Sequence, residues 1–145
     1  MSKSNLDLTF VRAKRTSIDG DSWIHGRYVY LESFRNLHSH RIYAVYSETD
    51  CGDFYPDFYE INPDTLGRFT GLYDVDDFRI FEGDLIAVVS ALTGQIIGKP
   101  HAVIWNETEC CWAAEYSYGD TEQLHKGVPY KIVGNIYDDP EVLKK

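Results

Sequence analysis

Short runs of strand-forming residues, each closed by a turn signal, dominate this chain and limit what it can fold into. The clearest case lies within residues 63–86. Gly67 and Gly71 bracket a brief alternation of apolar and polar residues, which is typical of a short strand between two turns. Further on, Glu82-Gly83-Asp84 is a tight-turn signal directly before the apolar run Leu85–Val89. The stretch predicts short strands joined by turns, and it contains no evident nucleophile or phosphate loop.

The same pattern continues along the whole chain and predicts a mainly β protein with little helix. Helical periodicity is scarce. Asn62 before Pro63 predicts one helical turn over 63–66, because Asn caps free amides and Pro at the first helical position loses no needed hydrogen bond. Apart from the short strand just described, the predicted strands are 6–12, 23–31, 41–47, 57–61, 85–90, 101–105, 110–116 and 130–137.

Short strands joined by tight turns form a meander, which is the pattern of an SH3-like barrel. We predict an irregular N-terminal β region over 1–68, packed on a C-terminal SH3-like small barrel over 69–145 that ends in a short charged tail. The polar segments 32–40, 47–56 and 117–127 are predicted to be loops. No low-complexity linker separates the two parts, so we expect them to pack together as one structural unit.

The composition is that of a folded protein without a membrane segment. Of its 145 residues, 43% are hydrophobic and 14% are aromatic, and a chain of this size can bury a sizeable core. No long apolar run is present, and residues 1–10 lack the apolar centre of a signal peptide, so we expect a cytoplasmic protein. The cysteines Cys51, Cys110 and Cys111 show no zinc or redox spacing and are interpreted as structural.

Charge is unevenly spread along the sequence. The net charge is −9; residues 1–41 carry seven Lys or Arg against four acidic residues, and the remainder carries seven against nineteen, which gives +3 and −12. A surplus of acid repels a phosphate backbone and argues against nucleic acid as a partner of the bulk surface. The alternative, a weak nucleic-acid-binding regulator, rests on four basic residues: Arg12, Lys14, Arg15 and Arg27.

An acidic cluster in the second half leaves a metal-site alternative open. It comprises Asp74, Asp76, Asp77, Glu82 and Asp84. Carboxylate oxygens are the ligands that Mg²⁺ and Ca²⁺ prefer, so a metal-dependent hydrolase or nuclease using Asp74, Asp77 and Asp84 is the rival interpretation. Turns also require Asp and Gly, and Asp84 can satisfy loop amides directly. We favour the turn interpretation and predict no metal and no cofactor.

An aromatic group in an acidic, loop-like setting is the predicted interaction surface. It comprises Phe54, Tyr55, Phe58 and Tyr59, and exposed aromatic residues of this kind mark an interface. The basic first third and the acidic remainder favour head-to-tail self-association. In that homo-oligomer the aromatic group forms the apolar centre, and three arginines meet acidic loops at the rim: Arg12, Arg15 and Arg27. The alternative is a monomer whose aromatic residues fold inward.

Several blocks of sequence, spread over nearly the whole chain, carry a family resemblance. They are Phe10-Val11-Arg12-Ala13-Lys14, Trp23-Ile24-His25-Gly26, and the segments 65–74, 80–86 and 132–140. In this order they resemble the YopX-like family of small phage and prophage proteins. One departure is Asp76-Asp77, which stands where the family usually has an Asn-Gly turn, so we expect a wider turn here.

The resemblance implies a mainly β fold in a phage-derived gene of unknown biochemical role, and it carries over no catalytic residue. We therefore predict a non-enzymatic accessory protein of the host bacterial cytoplasm, a protein-binding or regulatory module with an unidentified protein partner. Seven residues of these blocks are assigned a structural turn role: Gly67, Gly71, Glu82, Gly83, Asp84, Gly134 and Asn135.

Overall fold

A computed structural model describes residues 9–16, 23–32, 38–47, 54–116 and 119–144. Strands account for 61% and helical turns for 8% of the described structure, which confirms the mainly β prediction. The strands are β1 (Phe10–Lys14), β2 (Trp23–Glu32), β3 (His38–Ser47), β4 (Phe54–Glu60), β5 (Gly67–Tyr73), β6 (Arg79–Phe81), β7 (Asp84–Val89), β8 (Ile96–Asn106), β9 (Cys111–Glu115), β10 (Thr121–Gln123) and β11 (Tyr130–Asn135), and two 3-10 turns span Pro63–Thr65 and Pro140–Lys144.

The chain divides into two compact units, the N-terminal unit (Met1–Arg68) and the C-terminal unit (Phe69–Lys145). The N-terminal unit is built on antiparallel strands in the order β4-β3-β2-β1, and the first residues of β5 pair with β1. Strand β1 pairs antiparallel with β2 along its whole length.

Two of the predicted loops are shorter than the sequence indicated. Strand β3 already begins at His38, within the loop predicted at 32–40, and β4 begins at Phe54, within the loop predicted at 47–56. The β2–β3 ladder extends to the pair Glu32 and His38, and the β3–β4 ladder extends to the pair Ser47 and Phe54. Ladder hydrogen bonds are made by the backbone, so polar side chains do not by themselves end a strand. Residues 33–37 and 48–53 lie outside the described residues.

A small apolar core covers one face of the N-terminal sheet. Its buried residues are Val11, Ala13, Ile42 and Ile61, with Ile24 and Leu66 packed against them. Gly26 allows β2 and β3 to approach closely, because a Cβ atom at this position would collide with the backbone carbonyl of Tyr43 and lie 2.9 Å from Cγ2 of Ile42. Strand pairing therefore depends on a residue without a side chain here.

The predicted helical turn after Asn62 is present as a 3-10 turn at Pro63–Thr65. The Asn62 Oδ1 atom accepts a hydrogen bond from the Asp64 amide at 3.0 Å, as expected of a cap. The Thr65 hydroxyl oxygen accepts a hydrogen bond from the Lys14 amide at 2.9 Å. The turn is thereby tied to the end of β1.

The C-terminal unit contains a five-stranded antiparallel sheet in the order β10-β9-β8-β7-β11. Among the described residues no sheet closes on itself, so the predicted SH3-like barrel is not confirmed. The segment 117–127, predicted to be a loop, contains the short strand β10, which pairs with β9. Its three residues are polar and exposed, so β10 lacks the apolar alternation that reveals a strand in sequence.

Six buried residues form the core of the C-terminal unit: Ile80, Ile86, Val103, Ala114, Leu124 and Tyr130. Strand β5 reaches its partner β6 through an irregularity between Phe69 and Tyr73, where Gly71 has a φ of 88°. Glycine adopts this left-handed conformation without steric cost. In the part of the chain that the structure describes, no helix has the length and apolar character that a membrane crossing requires.

Candidate interaction surfaces

The carboxylate of Asp74 lies in the turn between β5 and β6 and is engaged by backbone amides. Its Oδ1 atom accepts hydrogen bonds from Asp76 at 2.8 Å and Phe78 at 3.0 Å. Its Oδ2 atom accepts a hydrogen bond from the Ile132 amide on β11 at 3.2 Å. Asp74 is only 6% exposed. Both oxygens therefore hold the turn in place and tie it to β11.

Asp84 has the same kind of role in the next turn. It is fully buried, and its Oδ2 atom accepts a hydrogen bond from the Phe81 amide at 2.7 Å. Asp77, the third residue of the rival metal site, is exposed and has a φ of 65°. Asp76 forms an ion pair with Lys131 at 3.1 Å. Among the described residues, no group of three His, Cys, Asp or Glu side chains is placed to hold a metal ion.

The turn residues of the C-terminal sequence blocks meet one another. The Gly83 amide donates to the Val103 carbonyl at 2.9 Å, and the Gly83 carbonyl accepts from the Ile136 amide at 2.9 Å. The Asn135 Oδ1 atom accepts hydrogen bonds from the amides of Tyr137 and Asp138 at 3.0 and 2.9 Å. These residues make the contacts of a scaffold, in which polar side chains replace missing backbone partners.

Two of these glycines are required by space as well as by conformation. Gly83 has a φ of 91°, and a Cβ atom there would lie 3.1 Å from the ring of Tyr137. At Gly134 a Cβ atom would lie 2.7 Å from the Asp139 carboxylate, which also accepts the Asn135 amide at 3.2 Å. Gly67 is buried and pairs with Arg12 of β1. No side chain at Gly83 or Gly134 fits without a shift of its neighbours.

Basic and aromatic side chains alternate on one face of the N-terminal sheet, here called the basic aromatic face (Phe10, Arg12, Lys14, Trp23 and Arg27). The Arg12 guanidinium and the Lys14 ammonium lie 4.7 and 5.6 Å from the ring centre of Trp23, and the Arg27 guanidinium lies 4.4 Å from that of Phe10. Arg12 and Lys14 share a face, because residues two apart on a strand are directed to the same side. Arg12 is only 9% exposed, so its charge is largely withdrawn from solvent.

Arg15, the remaining basic residue of the predicted set, lies apart from this face. Its guanidinium lies 4.7 Å from the ring centre of Tyr59, and its backbone bridges to Ile61. Because side chains alternate along a strand, Arg15 is directed to the side opposite to Arg12 and Lys14. The structure therefore does not bring Arg12, Arg15 and Arg27 together as one rim.

The predicted aromatic surface belongs to strand β4 and not to a loop. Phe58 is 46% exposed, and its ring lies 4.9 Å from the ring of Tyr43 on β3. Tyr59 is half-buried beneath Arg15. Strand alternation places Phe58 and Tyr59 on opposite faces. The side chains of Phe54 and Tyr55 lie outside the described residues, and the interaction role of all four residues stays a prediction.

Other exposed apolar residues lie in the C-terminal unit and were not identified from the sequence. Leu92, at the tip of the β7–β8 hairpin, is 96% exposed, and Ile96 and Ile97 are 48% and 58% exposed. A pocket of about 160 Å³ lies in the same unit. Its lining residues are Gly71, Leu72, Tyr73, His125, Lys126, Gly127, Val128 and Tyr130. The one sequence signal for the hairpin is the absence of charge from 85–98.

Tyr116 has a titration shift with a clear cause. Its hydroxyl donates a hydrogen bond to the carboxylate of Glu122, which lies on β10. This bond, together with partial burial and the negative charge of Glu122, raises the pKa of Tyr116 to about 12. A phenol with a raised pKa is less available as a nucleophile or base near neutral pH. Its position indicates a structural contact between β9 and β10.

Comparison with known proteins supplies the family. Residues 21–144 match the family described as YopX protein, which covers most of both units. No curated protein matches the chain. The matched range includes the turns formed by Asp74, Gly83, Asp84 and Asn135, whose contacts hold the C-terminal unit together. The chain therefore belongs to the YopX protein family.

Proposed function

We propose that this protein is a phage- or prophage-encoded accessory protein that acts without catalysis, by binding another protein in the bacterial cytoplasm. The observation that carries the proposal is the exposure of Phe58. This aromatic ring is 46% exposed on β4, the outermost strand of the N-terminal sheet. Aromatic anchors of this kind dominate the binding energy of protein interfaces.

The surroundings of Phe58 fit the usual composition of an interface. Phe58 and Tyr43 are directly paired across β3 and β4, and two residues further along, Glu60 pairs with Arg41. Residues paired in register share one face of a sheet. An aromatic pair flanked by a basic and an acidic side chain has the apolar centre and polar rim of a protein interface.

Proline in β4 favours binding through this face over addition of a partner strand. Pro56 pairs with Val45 and has no amide hydrogen to donate. Proline at the edge of a sheet limits pairing with a further strand. The partner would therefore contact side chains, with Phe58 entering an apolar depression on its surface.

A matched pair of variants tests this surface. Phe58→Ser removes the exposed ring, while Tyr30→Ser removes a ring of similar exposure, 47%, from the opposite face of the sheet. A partner protein captured from prophage-bearing cells would be identified, purified and titrated by calorimetry against the wild type and both variants. We expect Phe58→Ser to weaken binding about tenfold or more and Tyr30→Ser to leave it unchanged. Equal binding by wild type and Phe58→Ser would overturn the proposal.

The rival hydrolase or nuclease is disfavoured by the contacts of its carboxylates. Asp74 engages three backbone amides, and Asp84 is fully buried against the Phe81 amide. Open coordination positions are what such a metal site requires. We expect calorimetric titration with Mg²⁺ or Ca²⁺ to give no binding heat. Micromolar binding that is lost in Asp77→Asn, an exposed position, would instead favour the hydrolase.

A nucleic-acid-binding role is the second candidate, because the basic aromatic face interleaves cations with rings. Single strands bind to surfaces that combine basic residues with stacking aromatic residues. Against it stand the burial of Arg12 and the net charge of −9. A gel-shift titration with single-stranded DNA at low salt tests whether the protein binds nucleic acid. Micromolar binding that is weakened in Trp23→Ala and Lys14→Ala would favour this role, and no shift would eliminate it.

A further inference from the structure

The exposed ring of Phe58 belongs to a row of side chains that crosses four strands of the N-terminal sheet. Phe10 on β1 pairs with Arg27 on β2. Arg27 also pairs with Tyr43 on β3, which pairs with Phe58 on β4. Residues paired in register share one face of a sheet. The surface proposed around Phe58 and the basic aromatic face are therefore parts of one continuous surface.

The side chains of this row contact one another at both of its ends. The Arg27 guanidinium lies 4.4 Å from the ring centre of Phe10, and the ring centres of Tyr43 and Phe58 are 4.9 Å apart. A ring attracts a cation placed over its face, and tilted aromatic rings attract each other at this distance. The row therefore holds its cation and its aromatic pair in place, which reduces the entropy lost when a partner binds.

This face is basic although the whole chain is acidic. Among its described side chains, four cations stand against one carboxylate: Arg12, Lys14, Arg27, Arg41 and Glu60. These side chains sum to a net charge of +3, whereas the chain carries −9. A local positive potential on an acidic protein attracts an anionic partner to this face and not to the rest of the surface.

We infer that the protein partner presents a short acidic segment to this row, with a carboxylate at Arg27 and an apolar side chain on Tyr43 and Phe58. The inference rests on the proposed function, because it names the chemistry of the partner at the same surface. A guanidinium binds a carboxylate through two parallel N–H donors. Neighbouring strands lie about 4.8 Å apart, so the row is about 14 Å long and about five extended residues cover it.

The net charge of the chain favours a short acidic segment of a protein over a nucleic-acid strand. A longer polyanion continues beyond the row and meets a chain whose net charge is −9, which repels it. An acidic protein segment can end within the row, and its apolar side chains match the aromatic pair of Tyr43 and Phe58. Charge and apolar contact therefore favour the same occupant.

An NMR titration of the full chain with a short synthetic peptide that repeats Glu-Glu-Leu tests this assignment. We expect a Kd of about 1 mM or tighter, amide shifts concentrated on β1–β4, and no binding of a matched Lys-Lys-Leu peptide. Salt at about 1 M, where the Debye length is about 3 Å, should remove most of the binding. No amide shifts with the acidic peptide, or equal binding of the two peptides, would overturn the inference.

Arg27 and Arg15 allow a comparison between the two faces of the sheet. Both are half-buried arginines that lie over a ring, Arg27 over Phe10 and Arg15 over Tyr59, and each loses one charge on substitution by Gln. We expect Arg27→Gln to weaken peptide binding about fivefold to tenfold and Arg15→Gln to leave it nearly unchanged. Arg41→Gln takes the place of Arg27→Gln if that variant does not fold. Equal effects on the two faces would contradict the assignment.

Two other occupants of this face would give different results. Tighter binding of a short single-stranded oligonucleotide than of the acidic peptide would assign the face to nucleic acid. A wild-type dimer in sedimentation velocity that Arg27→Gln dissociates would assign the face to a second copy of the chain. Either result would overturn the inference.

The partner captured from cells separates this inference from the proposed function. Weaker binding of that partner by both Phe58→Ser and Arg27→Gln would support the two together. If Phe58→Ser weakens binding and Arg27→Gln does not, the proposed function stands and the acidic segment is wrong. If only Arg27→Gln weakens binding, the role of Phe58 is wrong and the preference of this face for an acidic segment is supported.

Discussion

The two units use their polar side chains in different ways. In the N-terminal unit, basic side chains lie over aromatic rings at the surface, as Arg27 does over Phe10. In the C-terminal unit, carboxylates and an amide side chain are built into turns and accept backbone amide hydrogens. Asp74, Asp84 and Asn135 all make such bonds. The first arrangement places partly buried rings and charges against one another on the sheet, and the second stabilises loops around a core.

The residues that suggested a metal site in the sequence are therefore different from the residues whose apolar side chains are exposed. Two members of the acidic cluster that suggested a metal site, Asp74 and Asp84, hold turns together and are needed for the fold. Exposed apolar side chains lie elsewhere, as Phe58 does in the N-terminal unit and Leu92 in the C-terminal unit. Substitutions in the two units should therefore differ in size and in kind.

The largest effect is expected for Asp84→Ala. Removing the buried carboxylate takes away its hydrogen bond to the Phe81 amide, which should lower the free energy of unfolding by about 3 kcal/mol. Urea denaturation measures the change. Asp120→Ala is the control, because Asp120 is exposed and should change stability by less than about 0.5 kcal/mol. Equal effects of the two variants would refute the structural role of Asp84.

Gly26→Ala should have the next largest effect, at a close approach of β2 and β3 in the N-terminal unit. The added methyl group collides with the Tyr43 carbonyl, and overpacking of this kind costs about 2 kcal/mol. His25→Ala, at an exposed neighbouring position, should change stability much less. Hydrogen exchange locates the effect: faster exchange confined to β1–β3 would support two separate units. Faster exchange throughout the chain would show that it unfolds as one cooperative unit, which would contradict two separate units.

Asn135→Ala and Asn62→Ala form a matched comparison between the units. Asn135 Oδ1 accepts two backbone amides, from Tyr137 and Asp138, whereas Asn62 Oδ1 accepts one, from Asp64. At about 1 kcal/mol for each bond, we expect losses of about 2 and 1 kcal/mol, respectively. Thermal denaturation of both variants gives the ratio. A larger loss of stability in Asn62→Ala would show that the N-terminal unit depends more on its side-chain cap than the C-terminal unit does.

The smallest effect is a change with pH at Tyr116. Because its pKa in the folded protein is raised from 10.0 to about 12, its contribution to stability is complete below pH 10 and is lost between pH 10 and 12. Tyrosinate absorbance of wild type minus that of Tyr116→Phe reports this single group. Glu122→Gln should lower the pKa of Tyr116 towards its ordinary value, since the carboxylate is the main cause. An unchanged difference curve in Glu122→Gln would contradict that cause.

Sequence patterns predicted much of the fold because turn chemistry is local. Asn62 before Pro63 predicted a capped turn, and Asp84 was expected to satisfy loop amides; both bonds are present. Strand β10 and the beginning of β4 were missed, because their pairing is supplied by neighbouring strands and leaves no periodic signal in their own residues. The exposure of Leu92 was also missed, since an apolar hairpin has the same sequence pattern whether its side chains are buried or exposed.

The sequence by itself determined the family, the β class, the acidic balance and the positions of the turns. Each of these depends on residue identity or on neighbours close along the chain. Tertiary structure alone decided that Arg15 lies over Tyr59 while Arg12 lies over Trp23, and that Asp74 reaches Ile132 on β11. These outcomes depend on strand register and on contacts between distant segments, because a shift of one residue exchanges the two faces of a strand.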